Sequence, residues 1–141
     1  MSTSAIHTVK TALVTILQGL FTDPVYVSYG HPGTIRMDDM VAVMDARSAQ
    51  EWAGMGTSRP RDEAVTAQVV FSVFRNDAQS VVTARAFAML ALLEDSIRTD
   101  PTLAVANARN AQITSIELTE DAMPAGRVSE LAVTVAVMVR I

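Results

Sequence analysis

One hundred and forty-one residues, 50% of them hydrophobic and only 18% charged, predict a single domain spanning 1–141 with one core and some apolar surface kept for partners. A net charge of -4 and a pI near 5.0 argue against a protein that grips phosphates, so specific nucleic-acid binding is not expected. The lack of cysteine excludes disulfides, thiolate metal sites and cysteine nucleophiles; with no secretion-signal pattern at the start and no apolar run of about 18 residues, a soluble, cytoplasmically made protein with no membrane partner is expected.

Ser2, Thr3 and Ser4 offer capping oxygens ahead of Ile6, Val9, Leu13, Ile16, Leu17 and Leu20, whose three- and four-residue steps predict an amphipathic helix. Asp23-Pro24 ends it, because the residue before proline is pushed out of the helical region. Val25 to Tyr29 reads as a short strand, Gly30-His31-Pro32-Gly33 as a turn, and Met40 to Asp45 as a second strand. From Ala46 to Glu63 neither period is present, and Gly54, Gly56 and Pro60 lie among Arg47, Glu51, Arg59, Arg61 and Asp62. A long loop is predicted there, and loops beyond about 12 to 15 residues are usually functional or disordered. The only tryptophan, Trp52, favours docking.

Ala64 to Phe74 alternates, with Val65, Ala67, Val69, Phe71 and Val73 on one face, and predicts a long strand. Asn76 or Asp77 can cap a helix running to Arg98, with Val82, Ala86, Met89, Leu93 and Ile97 as its buried stripe. Asp100-Pro101 terminates it, Ala111 to Thr119 gives a weaker strand, and Asp121 to Gly126 turns the chain. From Leu131 to Ile141 every odd position is apolar, so a strand of roughly 36 Å with one face in the core closes the sequence. Runs of strands followed by a helix and a hairpin predict an α+β fold: a mixed, mostly antiparallel sheet with two helices packed on one face.

Catalytic constellations are thin. Asp38-Asp39 and Glu94-Asp95 are adjacent pairs whose side chains diverge in regular structure, so both read as solvated carboxylates. His7, on the polar flank of the first helix, and His31, in a turn, lack a third ligand for a metal. Gly54-Met55-Gly56 has no Gly-Lys-Ser/Thr ending, so a phosphate loop is not expected, and the eight scattered methionines read as gap-fillers. The expectation is a protein that is not an enzyme and holds no cofactor or metal. Its interface residues would be Trp52 and Met55 as apolar contacts and Arg59 and Arg61 as polar ones, with a solvated loop end as the alternative for the arginines.

Three segments carry a resemblance over nearly the whole chain: Trp52 to Glu63 (WAGMGTSRPRDE), Ser96 to Leu103 (SIRTDPTL) and Ser129 to Ile141 (SELAVTVAVMVRI). In that order and at similar spacing, they resemble the tail terminator proteins of long-tailed bacteriophages, also known as tail-completion or tail-to-head joining proteins. Relatives often carry glycine just after the Asp-Pro-Thr-Leu turn, where this chain has Ala104, Val105 and Ala106. The resemblance implies a virion protein at the head-tail junction with no catalytic residues. Several copies, typically six, would close into a ring that caps the tail tube, stops tube growth and meets the neck proteins. The genome would pass through the ring, and an acidic protein lets a polyanion slide. A neck or head-completion subunit, or a small-ligand-binding α+β domain, are the alternatives that such a fold also accommodates.

Overall fold

The computed structural model describes residues 3–33, 37–52 and 60–141. Along the chain run α1 (Ile6–Leu20), β1 (Tyr26–Tyr29), β2 (Asp39–Trp52), β3 (Arg61–Arg75), α2 (Gln79–Thr99), β4 (Ala108–Met123) and β5 (Gly126–Arg140). The strands form one sheet in the order β1-β2-β3-β5-β4; β1 is parallel to β2, and the other neighbours are antiparallel. The fold is therefore α+β with a mixed, mostly antiparallel sheet.

The alternation read in the two long strands is the alternation of burial. Leu131, Val133, Val135, Val137 and Val139 of β5 are buried, as are Val65, Ala67, Val69, Phe71 and Val73 of β3. Register ties them together, Val65 opposite Val137, Val69 opposite Val133 and Phe71 opposite Leu131. They share one buried cluster with Val9, Leu13 and Leu17 of α1 and with Val82, Ala86, Met89, Leu93 and Ile97 of α2. Each of the valine, leucine, isoleucine, phenylalanine and methionine side chains contributes about 1.5 to 3 kcal/mol by leaving water, so this cluster is the main source of stability.

The first helix is capped from afar. Its N-cap residue is Ala5, which has no capping side chain; Ser4 Oγ accepts from Ile6 N at 3.1 Å, and the Glu63 carboxylate of β3 accepts from Ala5 N at 2.6 Å. A carboxylate at a helix N-terminus satisfies orphan donors and complements the helix dipole. At α2 the N-cap is Ala78, so neither Asn76 nor Asp77 fills that position; Asp77 Oδ1 accepts from Ala78 N instead.

The expected loop from Ala46 to Glu63 is corrected by the structure: β2 continues to Trp52 and β3 begins at Arg61, and the two stay paired from Ala46 opposite Ala67 to Trp52 opposite Arg61. Residues 53–59 lie outside the described residues. No period marks the β2 part of the segment because little covers its side chains. After a register shift between Val43 and Ala46, β2 continues past the end of β1 as an edge strand and is exposed or half-buried, held to β3 by its backbone ladder.

After α2, Asp100 organises the turn by accepting from Thr102 N and Ala104 N, at 3.1 and 3.2 Å. Leu103 and Ala104 then take φ values of 55° and 57°, in the left-handed region. Ala104 thus occupies a conformation that glycine adopts without strain. The β4 strand runs further at both ends than Ala111 to Thr119, with two register shifts before Ser115, and Pro124-Ala125 alone forms the turn into β5. Just after that turn a Cβ on Gly126 would lie 2.5 Å from the Arg75 carbonyl oxygen, so the hairpin end abuts the end of β3.

Candidate functional site: the β2–β3 arm at the sheet edge

Along the edge of the sheet, the Ala46–Trp52 half of β2 and the β3 residues that pair with it, themselves backed by β5, form an arm whose base is a buried polar hub. Glu63 is fully buried, and its two oxygens accept from Ala5 N and from Gln50 Nε2, at 2.6 and 2.7 Å. Burial pushes the Glu63 carboxyl up, but hydrogen bonds from Ala5, Ser4, Gln50 and Ser48 outweigh it and hold the group below its usual range. Gln50 Nε2 also donates to the Thr3 carbonyl, while Gln50 Oε1 accepts from Arg61 at 2.8 Å. The arm and the start of α1 are therefore one polar unit.

A second cluster closes the same end of the sheet. Asp62 accepts from Arg140 at 3.0 and 3.2 Å and lies 3.4 Å from Arg109. The Arg140 hydrogen bond, reinforced by Arg109, keeps the Asp62 carboxyl below the usual carboxylate range against a smaller upward push from burial. Reciprocal backbone bonds between Arg61 and Ile141, at 3.0 and 2.9 Å, fasten the start of β3 to the end of the chain.

Of the expected interface residues, Trp52 stands at the end of β2 with 65% of its surface exposed. Arg61 sits opposite it, half-buried, with its guanidinium on Gln50. Met55 and Arg59 lie outside the described residues. Sequence reading missed Glu63, Gln50, Arg109 and Arg140, whose roles depend on partners far away in the chain. On the flank of the arm, a crevice of about 940 Å³ is lined by Ile6, Lys10, Tyr29, Asp45, Arg47 and Gln68 among others.

The carboxylate pairs are placed differently from expectation at one point. Asp39 is not solvated: it is buried and accepts from Arg75 at 2.7 and 2.9 Å and from Arg85 at 3.0 Å. Two guanidiniums offset the cost of burying its charge, and Arg85 also reaches Asp23, tying the α1–β1 connection to α2. Glu94 pairs with Arg98 one turn on. His7 Nδ1 is 2.9 Å from the Tyr29 hydroxyl, and His31 Nδ1 accepts from Gly33 N, so the structure does not bring the histidines to a common point. Among the described residues no three His, Asp or Glu side chains converge as a metal site, and no helix is long and apolar enough to cross a membrane. The sequence matches no family model and no curated protein.

Proposed function

We propose that this chain is a structural virion protein that caps the finished tail tube of a long-tailed bacteriophage as a ring, typically of six copies, and offers the surface to which neck proteins join. The observation that supports this reading best is the open half of β2: seven register pairs, from Ala46 opposite Ala67 to Trp52 opposite Arg61, hold it on β3 along the edge of the sheet, and it ends in an exposed tryptophan. A strand edge held rigidly by the sheet, with an aromatic end, presents contact area at low ordering cost. Ring closure is what separates a terminator from a tube, because a heterologous contact that closes leaves no growing end. The protein would be made in the host cytoplasm and reside at the head-tail junction, its partners being further copies of itself, the tube protein and the neck proteins.

Electron microscopy of the purified protein, alone and mixed with tail tubes, tests this directly, with rings expected at tube ends. Complementation with Trp52→Ala combined with Arg59→Glu and Arg61→Glu should give overlong or headless tails. Normal tail lengths with that variant would remove the arm from docking. A single copy at the junction, found by cross-linking of assembled tails, would overturn the ring.

A further inference from the structure

Two rows of side chains cross the whole sheet on the face of the buried cluster and end in apolar groups at both edges. In one, register places Tyr29 beside Val43, then Val69, Val133 and Ile116. In the other, two residues on, Val27 is followed by Val41, Phe71, Leu131 and Leu118. The three middle residues of each row are buried. The ends are not: Tyr29 is 48% exposed, Ile116 47% and Leu118 40%, and Val27 is half-buried.

At these rows β1 and β4 are the two edges of the sheet, and neither has an outer partner among the described residues. Such edges invite a further strand. Since β1 is parallel to β2, and three antiparallel steps separate β2 from β4, β1 and β4 run in opposite directions at one level. Rotating a copy about an axis along the strands keeps that level and brings the outer edge of β1 onto β4 of its neighbour as an antiparallel pair. The length of the pair is set by β1: Pro24 before it has no N–H to donate, and Gly30 after it, at φ 84°, turns the chain.

The geometry points to a contact between copies in which Tyr26–Tyr29 of one chain adds to Ile116–Thr119 of the next, Tyr29 opposite Ile116 and Val27 opposite Leu118, so that both apolar rows continue from copy to copy. This contact deepens the proposed ring and rests on it; the open half of β2 takes no part in the ladder. Paired aromatic and branched side chains are what stabilises neighbouring strands. Charge agrees with the same pairing. Lys10 lies over the Tyr29 ring at 4.2 Å and is in no ion pair among the described residues. At the other edge Glu94 of α2 lines a cleft with Ile113, whose β5 partner is two residues from that of Ile116, so Lys10 of one copy comes to the side of Glu94 on the next. Thr83 of α2 bonds to Glu120 of β4, and Phe87, one turn on and 41% exposed, adds an apolar wall along this edge.

Engineered cysteine pairs decide the matter, because the chain has no cysteine of its own. One variant carries Tyr29→Cys with Ile116→Cys, and a second carries Val27→Cys with Leu118→Cys. Within one chain each pair is about 19 Å apart across four strand spacings, beyond the roughly 7 Å between Cα atoms that a disulfide tolerates. Any disulfide therefore joins two copies. Oxidised on tail tubes, each variant should run on non-reducing gels as a ladder of oligomers up to the full ring. Tyr29→Cys with Glu120→Cys, four residues out of register on the same face, should stay unlinked. Rings on tubes in which neither matched pair links, or stronger linking of the out-of-register pair, would overturn the contact and leave the ring standing. Wild-type protein that forms no ring on tubes would overturn the ring itself, and this contact with it.

Discussion

The two halves of β2 share one strand and one partner, yet they are made of different material. Asp39 to Val43 are all buried, whereas Asp45 to Trp52 are exposed or half-buried, and β3 pairs with both halves. In the first half side chains leave water and the ladder follows. In the second, β2 itself is little covered, although Val65 and Ala67 across the ladder are buried, and the contacts of Glu63, Gln50 and the arginines around Asp62 add to the ladder. A strand can therefore be extended for contact without being part of the core, provided polar groups anchor it.

The largest effect should come from placing charge on the covered face of the sheet, which runs behind both halves. Val135→Asp buries an unpaired carboxylate opposite Ala67 and should cost more than about 4 kcal/mol, enough to abolish soluble folding. Thr134→Asp, on the other sheet face, should cost about 1 kcal/mol or less; the reverse order in thermal melts would invert the facing. Next comes the anchor. Glu63→Ala leaves Ala5 N and Gln50 Nε2 without their acceptor and should cost about 3 kcal/mol by urea unfolding. Because the folded Glu63 pKa is depressed below 4.5, its stabilisation is present above the ordinary glutamate range and is lost as pH falls through the folded value. Wild type should therefore lose more stability in acid than Glu63→Gln, and parallel pH curves would detach the arm from this carboxylate.

Smaller still, Ala104→Gly relieves a left-handed residue outside both halves and should gain up to about 1 kcal/mol; a lower melting temperature would show that the turn does not depend on that conformation. The smallest shift in stability belongs to the arm tip. Trp52→Ala removes a side chain that is 65% exposed and should change unfolding by about 0.5 kcal/mol or less, and a larger loss would make the end of β2 part of the folded unit rather than a surface for partners.

What was legible in the sequence follows the same division. Leu131 to Ile141 and Val65 to Val73 announce themselves because one face is covered, and covering is what imposes a period of two. The α2 stripe is legible for the matching reason at a period of 3.6, although Leu90, also buried, widens it. The Ala46–Trp52 part of β2 was read as a loop because it has a strand on one side only among the described residues and its side chains are little covered. Glu63 escaped notice because its partner Ala5 lies 58 residues away, and a buried carboxylate has no local signature. Asp39 was misplaced for the same cause, since Arg75 and Arg85 reach it only after the sheet and α2 are assembled.

The central ladder, Val69 opposite Val133, joins strands separated in sequence by α2 and β4. Chain closure over such a span is slow, so the order of folding events is set by what can close locally. The β4–β5 hairpin, with its two-residue turn, is such a unit, and so is the β2–β3 pair. Refolding is therefore expected to be limited by the docking of these two units, on a scale of about milliseconds to seconds. Gly126 sits beside the last pair of the β3–β5 ladder, Arg75 opposite Arg127, with no room for a Cβ beside the Arg75 carbonyl. A side chain there would leave each hairpin able to form and slow the step that joins them, so Gly126→Ala should appear in stopped-flow traces as a lower refolding rate.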